Sequence, residues 1–274
     1  MSVILRCVTL NLWGNEAPVD KRMHVVAEGL RVLAPDVVAL QEVRAIPGQL
    51  PNQAETLARA CGMNYAFASA APAGRQDDWG LAILSRGAVM EHTWTDLPGG
   101  EAGERRILIS ARVETAAGSA WVHGTHLNYR LQDGVQREQQ VVAIDAEVAA
   151  RAGDRPQILM GDFNARPECD EIRWLRGLTT LAGRRVHYQD AWARRRPLEA
   201  GETWAAANPN VSPLAFLDPD RRIDYVFVTP MRRDGRGRVH DCRLVFDKPS
   251  ADGVYASDHF GVYAEVQMTA DSGE

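Results

Sequence analysis

Short apolar runs that end in polar residues recur along the chain, and this pattern constrains the fold more than any other feature of the sequence. Residues 37–40 and 158–160 are continuous apolar runs, which are typical of strands buried on both faces. Residues 3–10 form a longer β-rich run that also meets polar residues at its end. The sequence therefore predicts a large buried sheet structure whose strand ends carry polar side chains.

Further helices and strands are predicted between these runs. Helices are expected at residues 20–34, with Asp20 as the N-cap, and at 52–61, 136–152 and 171–175. Strands are expected at residues 65–68, 81–85, 107–113, 120–127, 223–228, 243–246 and 260–266, with Gly118 and Ser119 as a hairpin turn. Because strands and helices do not alternate strictly, a simple doubly wound sheet fits poorly. The pattern predicts an α/β fold, a four-layer sandwich of two stacked mixed β-sheets flanked by helices.

No linker or change of composition divides the chain, so we expect a single domain over residues 1–269 and a disordered tail at 270–274. Residues 194–220 are irregular, and such stretches are often functional loops. The sequence has no run of about 18 apolar residues, so no transmembrane segment is predicted, and no secretory signal is evident, which favours the cytoplasm. The four cysteines lie far apart, which argues against zinc-ribbon and dithiol redox sites.

The charge of the chain is slightly negative, since 31 Lys and Arg stand against 36 Asp and Glu. A tight, sequence-indifferent binder of duplex nucleic acid would be expected to carry a positive field. Arginine is nevertheless concentrated in one stretch, at Arg194, Arg195, Arg196, Arg221, Arg222, Arg232, Arg233, Arg236 and Arg238. We interpret this run as solvated surface, with a phosphate-facing rim as the alternative.

Polar residues mark the boundaries of the predicted strands. They are Asn11, Glu42, His126, Asp162, Asn164, Asp224, Asp258 and His259. If the two sheets bring these boundaries to one edge, carboxylate and amide oxygens converge there with two imidazoles. Mg²⁺ prefers oxygen ligands, usually one or two carboxylates with water and substrate phosphate in the remaining positions. Asn11, Glu42 and Asp258 fit that role, and the absence of clustered Cys argues against structural zinc.

His259 offers proton chemistry at the same edge. An imidazole held by a carboxylate, here Asp258 or Asp224, is fixed in one tautomer and handles protons near neutral pH. When water cleaves a phosphate ester, a base aligns the water, a metal neutralises non-bridging oxygens and neutral donors stabilise the developing charge. The residues that would complete this arrangement are Asp162, Asn164 and His126. Each residue alone is more simply explained as a turn, cap or core residue, so the hypothesis depends on their convergence.

Seven short motifs follow one another from residue 9 to residue 259. They are Thr9-Leu10-Asn11-Leu12-Trp13, Gln41-Glu42-Val43, Gly80-Leu81-Ala82-Ile83-Leu84-Ser85, Gly124-Thr125-His126-Leu127, Gly161-Asp162-Phe163-Asn164, Arg222-Ile223-Asp224-Tyr225-Val226-Phe227 and Ser257-Asp258-His259. The ordered set resembles the endonuclease/exonuclease/phosphatase superfamily. This resemblance implies a four-layer α/β sandwich with a Mg²⁺-dependent site at one edge of its two sheets.

The resemblance also implies a role for each matched position. Asn11, Glu42 and Asp258 resemble the metal-binding positions. Asp162 and Asn164 resemble the pair that orients the attacking water and the scissile phosphate. His259, paired with Asp224, resembles the catalytic histidine. His126 resembles the phosphate-contacting histidine of the deoxyribonuclease, sphingomyelinase and inositol-phosphatase branches.

At two positions the sequence differs from particular branches of the superfamily. Abasic-site endonucleases usually have Tyr at the position of His126, and inositol polyphosphate phosphatases have a Trp-Cys-Asp-Arg run where this chain has Arg222-Ile223-Asp224-Tyr225. Both branches are therefore disfavoured. The chain is more similar to the broad group of small bacterial phosphohydrolases, whose substrates vary.

The predicted function is a Mg²⁺-dependent phosphoesterase, with Mn²⁺ as a substitute metal, that hydrolyses a phosphodiester by metal- and His259-assisted attack of water. The alternatives are a nuclease acting on DNA or RNA, a phosphomonoesterase, a lipid-headgroup phosphodiesterase, and a non-catalytic binding protein on the same scaffold. The expected partner is a phosphate-ester substrate, with nucleic acid among the candidates and a small or single-stranded substrate favoured. Trp79 and Trp204 are candidates to stack on a base or sugar, with core packing as the alternative.

Overall fold

Two six-stranded mixed β-sheets form the centre of the protein. The computed structural model describes residues 2–72, 77–99, 105–211 and 220–271. The strands are β1 (Ile4–Asn11), β2 (Val37–Ala45), β3 (Asn64–Ser69), β4 (Asp78–Ser85), β5 (Val89–Asp96), β6 (Ile107–Thr115), β7 (Gly118–His126), β8 (Ile158–Asp162), β9 (Gln189–Asp190), β10 (Asp224–Val228), β11 (Val239–Val245) and β12 (Gly261–Gln267). The helices are α1 (Val19–Leu33), α2 (Gln53–Cys61), α3 (Gly134–Ala150), α4 (Asp170–Leu175) and α5 (Ala191–Arg195).

The strand order places one parallel pair inside each sheet. The first sheet has the order β11-β12-β1-β2-β4-β3 and the second has the order β5-β6-β7-β8-β10-β9. Strand β1 is parallel to β2 through the crossover helix α1, and β7 is parallel to β8 through α3. The carboxyl ends of two parallel neighbours lie at the same edge of a sheet. Each sheet thus presents two strand ends, with their polar residues, at one edge.

Three hydrophobic cores separate four layers. The central core lies between the sheets and includes Ile83 from β4 and Ile109 from β6. A second core joins α1 and α2 to the first sheet through residues such as Leu30. A third joins α3 and α4 to the second sheet and includes Ile144 and Trp174. Burying each large apolar side chain contributes about 1.5–3 kcal/mol. The predicted four-layer α/β sandwich is confirmed.

Strand β5 was not predicted from the sequence, because its residues carry little apolar pattern. It is an edge strand paired only with β6 among the described strands, and most of its side chains are exposed or half-buried. A strand that buries neither face lacks the alternation by which strands are recognised. The two-residue strand β9 and the short helix α5 were missed because they are too short to show a period.

Two local predictions were wrong by one or two residues. Gly118 and Ser119 lie inside β7, where Gly118 pairs with Thr115, so residues 116–117 make the turn. Helix α1 begins at Val19 with Pro18 at the N-cap position, and Asp20 lies in the first turn rather than capping it. A carboxylate in the first turn still interacts favourably with the helix dipole. These shifts leave the strand ends that carry polar residues unchanged.

Part of the predicted irregular stretch and tail falls outside the described residues, namely 212–219 and 272–274. Asp271 accepts hydrogen bonds from Arg238 at 3.1 and 3.0 Å. Among the described segments, no helix combines the length and the apolar character needed to cross a bilayer.

A buried histidine in the second sheet makes stability sensitive to acid. His123 is fully buried and contacts Ser110 at 2.8 Å and Gln157 at 2.9 Å. Burial lowers the pKa of His123 to about 4, so it stays neutral in the folded protein while its unfolded counterpart takes a proton below about pH 6.5. The unfolded state therefore gains protons first as the pH falls, and stability drops between about pH 6.5 and 4.

We expect this group to remove about 2–3 kcal/mol of unfolding free energy between pH 7 and 4.5. Urea unfolding of the wild type and of His123→Gln at both pH values measures the contribution. The variant should lose less stability on acidification than the wild type. An equal loss in the two proteins would contradict the assignment.

Candidate active site

The predicted polar residues of the second sheet lie side by side at its edge. His126 ends β7 opposite Asp162 of β8, and Asp162 in turn lies opposite Asp224 at the start of β10. In the first sheet, Asn11 ends β1, and His259 lies two residues before β12 begins. The two edges meet, since the Asn11 amide donates to Asp162 at 3.1 Å. The sandwich thus brings residues from both halves of the chain into one site.

An irregularity in β2 turns Glu42 toward this site. The register between β2 and β4 shifts between Leu40 and Val43, and Glu42 has a positive φ of 54°. An extra residue of this kind re-aims a side chain relative to the regular alternation of the strand. Asn11 donates to Oε1 of Glu42 at 3.2 Å, which holds the carboxylate in place.

The Gly161-Asp162-Phe163-Asn164 motif has a distinct structural reason at each position. The Asp162 carboxylate accepts a hydrogen bond at 2.8 Å from the backbone N–H of Asn164, which has a φ of 49°. Asn tolerates this left-handed conformation better than most residues. Phe163 packs edge-on against Tyr225 and Phe227 in the outer core. The side chain of Asn164 donates to the Leu127 carbonyl at 3.1 Å, which joins the motif to the end of β7.

Gly161 cannot be replaced without moving the neighbouring strand. It has a φ of 150°, and a Cβ at this position would lie 2.0 Å from the Thr125 carbonyl oxygen of β7. We expect Gly161→Ala to cost about 3 kcal/mol or more of unfolding free energy, because the clash is with backbone. Gly153→Ala is the control, since a Cβ there has open space. Equal stability of the two variants in urea unfolding would contradict this explanation.

The imidazole of His259 is held on one side and open on the other. Its Nδ1 lies 2.9 Å from Oδ2 of Asp224, and its Nε2 lies 3.8 Å from Oδ2 of Asp162. Nε2 of His126 approaches the same Asp162 oxygen at 3.4 Å. Asp224 is itself held by Thr203, whose hydroxyl accepts from its backbone N–H at 3.1 Å. The Asp162 carboxylate therefore lies between the imidazoles of His126 and His259, and His259 has Asp224 as a second carboxylate partner.

Electrostatics separate the titratable groups of this cluster. Burial and the nearby Asp224 carboxylate raise the pKa of Asp162 to about 7. Burial opposes the charged form of His259, but Asp224, Asp258 and Asp162 outweigh it and hold its pKa well above the usual range. Burial, reinforced by Arg106, holds the pKa of His126 well below its usual range. One imidazole is thus a strengthened base and the other a neutral group, a contrast typical of acid–base sites.

These residues line or adjoin an open cleft of about 480 Å³. Five predicted site residues line it, namely Glu42, His126, Asp162, Asn164 and His259. Asn11 and Asp224 lie directly behind, hydrogen-bonded to lining residues. Asp258 precedes the lining residue His259 in the chain, and its charge adds to burial in raising the pKa of Glu42. The structure thus brings all eight predicted residues together, while their individual roles stay predictions.

The family is decided by the match along the chain. The sequence model of the endonuclease/exonuclease/phosphatase family matches residues 8–259, which contain every residue of the site. The chain belongs to the endonuclease/exonuclease/phosphatase family. Members of this family are hydrolases that act on phosphate esters. No curated protein matches the sequence.

Solved structures of other family proteins have the same fold. The endonuclease/exonuclease/phosphatase protein of Beutenbergia cavernae is 25% identical, with a TM-score of 0.72, over 97% of this chain and 72% of that chain. TDP2 of D. rerio, complexed with single strand DNA product, is 23% identical with a TM-score of 0.76, over 96% of this chain and 98% of that chain. The family protein of Bacteroides vulgatus is 16% identical, with a TM-score of 0.73, over 97% of this chain and 100% of that one.

The family generally uses a divalent metal, and the donor set of this chain fits one. Glu42 and Asp258 are two carboxylates whose pKa values are raised by burial, and Asp258 raises that of Glu42 further. Buried carboxylates that repel each other are stabilised by a cation between them. A second group, Asp162, Asp224 and His259, has ligand atoms within 4.8 Å of one another. Within this second group, Nδ1 of His259 is already hydrogen-bonded to Asp224. We therefore favour Glu42 and Asp258 as the cation ligands.

Asn11 presents its amide nitrogen, rather than its oxygen, to the carboxylates. Its Nδ2 donates to Glu42 and Asp162, while its Oδ1 accepts from the Trp13 backbone at 2.9 Å. In this arrangement Asn11 orients the two carboxylates. Its predicted role as a metal ligand stays a prediction.

Several cleft residues were not found by sequence reasoning. Arg44, Arg105, Arg106 and Tyr129 line the cleft beside the predicted Trp79, Trp204 and Arg221. Arg106 stacks over Trp79 at 5.3 Å and Arg221 stacks over Trp204 at 4.3 Å. The first three arginines lie outside the motifs, and no spacing in the sequence marks them.

Most of the described arginines in the run from Arg194 to Arg238 contact other parts of the protein rather than the cleft. Of its described members, Arg221 lines the cleft. Arg222 is buried and forms a two-pronged ion pair with Asp190 at 3.1 and 3.0 Å. Arg196 and Arg236 pair with acidic neighbours on the surface.

Proposed function

We propose that the protein is a divalent-metal-dependent phosphodiesterase in which water attacks phosphorus with His259 as the base. The observation that carries this proposal is the Asp224–His259 pair, with Nε2 of His259 facing the cleft beside Asp162. A buried imidazole with a carboxylate on Nδ1 is held in one orientation and is strengthened as a proton acceptor. Asp224 then stabilises the imidazolium that forms.

The neighbouring residues supply the other parts of the reaction. Asp162 and Asn164, fixed to each other through a backbone hydrogen bond, would orient the attacking water and the scissile phosphate. Neutral His126 would donate a hydrogen bond to a phosphate oxygen without adding a charge. A cation held by Glu42 and Asp258, Mg²⁺ or Mn²⁺, would neutralise the non-bridging oxygens and the leaving oxygen.

The cleft lining favours a nucleotide ester over a choline lipid. Its arginines are Arg44, Arg105, Arg106 and Arg221. These charges attract phosphate and repel the quaternary ammonium of a choline headgroup. Trp79 and Trp204 offer ring faces on which an unpaired base stacks. The open cleft of about 480 Å³ has room for a nucleotide unit. The net charge of −5 gives little general attraction for duplex DNA.

A similar solved structure supports this substrate class, since the D. rerio TDP2 structure contains single strand DNA product. We therefore propose a single-stranded nucleic acid end, or a small nucleotide diester, as the substrate.

A panel of phosphate esters tests the proposal. Hydrolysis with Mg²⁺ or Mn²⁺ is compared for single-stranded and duplex oligonucleotides, plasmid DNA, RNA, sphingomyelin, inositol phosphates and bis(p-nitrophenyl) phosphate. We expect single-stranded ends and small diesters to react fastest. Turnover of sphingomyelin alone would contradict the substrate class. Metal binding without hydrolysis of any member would favour a non-catalytic binding protein.

A further inference from the structure

Arg22, which lies outside the motifs, is a fully buried cation bound by backbone carbonyls. It lies in the first turns of α1 and has no exposed surface. Its guanidinium donates to the carbonyls of Leu12 at 2.6 Å, Glu16 at 2.8 and 2.9 Å, Ala256 at 3.1 Å, Gly14 at 3.2 Å and Trp13 at 3.4 Å. No ion pair among the described residues includes Arg22, and the charges of Asp258, Glu16 and Glu42 act on it without a direct ion pair. All of its polar groups are thus used to hold backbone.

The carbonyls that Arg22 binds belong to two segments far apart in sequence. Leu12 directly follows Asn11, and Ala256 lies two residues before Asp258. Nη1 of Arg22 binds both carbonyls, and Ala256 lies 234 residues beyond Arg22 in the sequence. A single side chain therefore fastens the end of β1, which orients Glu42, to the loop that carries Asp258.

Burying a charge in this place is costly unless something compensates it. Burial lowers the pKa of Arg22, while the nearby charges of Asp258, Glu16 and Glu42 raise it. Two of these are the carboxylates favoured above as cation ligands. A positive charge behind them would by itself weaken cation binding through repulsion. The hydrogen bonds of Arg22, however, would strengthen cation binding, because they fix the two segments that carry the ligands.

We propose that Arg22 is a positioning residue that holds the segments of Asn11 and Asp258 in the arrangement that binds the catalytic cation. This inference rests on the cation site of the proposed function. We expect the geometric role to outweigh the repulsive one, because all the guanidinium hydrogen bonds go to backbone carbonyls of the two segments that lead to Asn11 and Asp258. A lysine has the charge but not the planar fork of donors, and therefore cannot replace it.

The second sheet supplies a matched control in Arg137. This buried residue of α3 donates to the carbonyls of Asn128 at 3.2 Å and Arg130 at 2.7 Å, after the end of β7. It also pairs with Glu171 at 2.6 Å. Arg137 therefore fastens a loop in a similar way, but none of its hydrogen bonds goes to the segments of Glu42 or Asp258. Arg137→Lys should lose stability without losing cation affinity.

The test is the binding of Mn²⁺ alone, without substrate, to four full-length proteins: the wild type, Arg22→Lys, Arg22→Gln and Arg137→Lys. Calorimetry gives the Kd, and thermal unfolding shows that each protein is folded at the temperature used. We expect both Arg22 variants to bind Mn²⁺ at least about 10-fold more weakly than the wild type. Arg137→Lys should keep the wild-type Kd. Unchanged affinity in Arg22→Lys, or tighter binding in Arg22→Gln, would show that Arg22 acts by charge and would overturn the proposal.

A measurement on the wild type keeps the inference testable if the Arg22 variants do not fold. Hydrogen exchange of residues 12–16 and 254–259 is followed with and without Mn²⁺. We expect Mn²⁺ to slow exchange in both segments together, because the cation and Arg22 stabilise one arrangement. Exchange unaffected by bound Mn²⁺ would overturn the inference. If the wild type binds no Mn²⁺, the proposed function fails, which is a different result from Mn²⁺ binding that does not depend on Arg22.

Discussion

Replacing His259 by alanine is expected to lower kcat for phosphodiester hydrolysis by about 10²–10⁴-fold, the range by which a positioned base accelerates proton transfer. The reason is geometric, since the variant loses the imidazole that Asp224 holds at 2.9 Å and that faces the cleft. KM should change much less, because His126, Asn164 and the cleft arginines are retained. Initial rates on a chromogenic diester with saturating Mg²⁺ give both constants.

His24→Ala is the matched control, because His24 is exposed on α1 away from the cleft. It should retain wild-type activity. Retention of activity by His259→Ala would remove His259 from the reaction.

The pH dependence gives a second measure of the same pair. Burial opposes the charged form of His259, but Asp224 is the largest influence that raises its pKa. As a base, His259 must be unprotonated, so activity should fall as the pH drops through its pKa. Asp224→Asn removes the charge that raises this pKa, so the acid limb should move to lower pH while kcat falls. An acid limb that stays in place would contradict the pairing.

Removing the cation is expected to have an effect of similar size. Excess EDTA should abolish hydrolysis, and Glu42→Gln should lower kcat/KM by about three orders of magnitude at fixed Mg²⁺, since a metal stabilises several kcal/mol of transition-state charge. Glu42 is favoured for this role because its carboxylate lies in the cleft with Asp258 close by. Part of the loss should be recovered at higher metal concentration.

Glu28→Gln is the control for this substitution, because Glu28 lies on the exposed face of α1 and pairs with Arg31 there. It should leave the metal dependence unchanged. Full activity of the wild type in EDTA, or of Glu42→Gln at low Mg²⁺, would contradict a metal-dependent reaction at this position.

The sequence allowed the sandwich and the site edge to be predicted for a definite physical reason. Buried strands such as Val37–Ala45 and Ile158–Asp162 carry continuous apolar runs, and parallel neighbours align their carboxyl ends. The polar residues after these runs therefore had to lie at one edge of each sheet. Local patterns alone do not show that the edges of the two sheets meet. That prediction depended on the ordered set of motifs.

The parts that could not be predicted depend on tertiary contacts. The re-aiming of Glu42 comes from an irregularity in strand pairing that no residue type announces. Arg106 lines the cleft with its guanidinium stacked over Trp79, and Arg22 is held behind the site partly by the carbonyl of Ala256, 234 residues away in the sequence. The edge strand Val89–Asp96 lacks an apolar face. The first three features depend on tertiary contacts and the edge strand has no apolar pattern, so composition and periodicity carry no signal of any of them.

The position of the cation in the site decides whether His259 is free to act as the base. Crystals grown with Mn²⁺ would show the metal by its anomalous scattering. We predict a single dominant peak bound by the carboxylates of Glu42 and Asp258, with the Asp224–His259 hydrogen bond intact. A peak bound instead by His259 and Asp224 would contradict it, because a metal there would remove the base that the reaction requires.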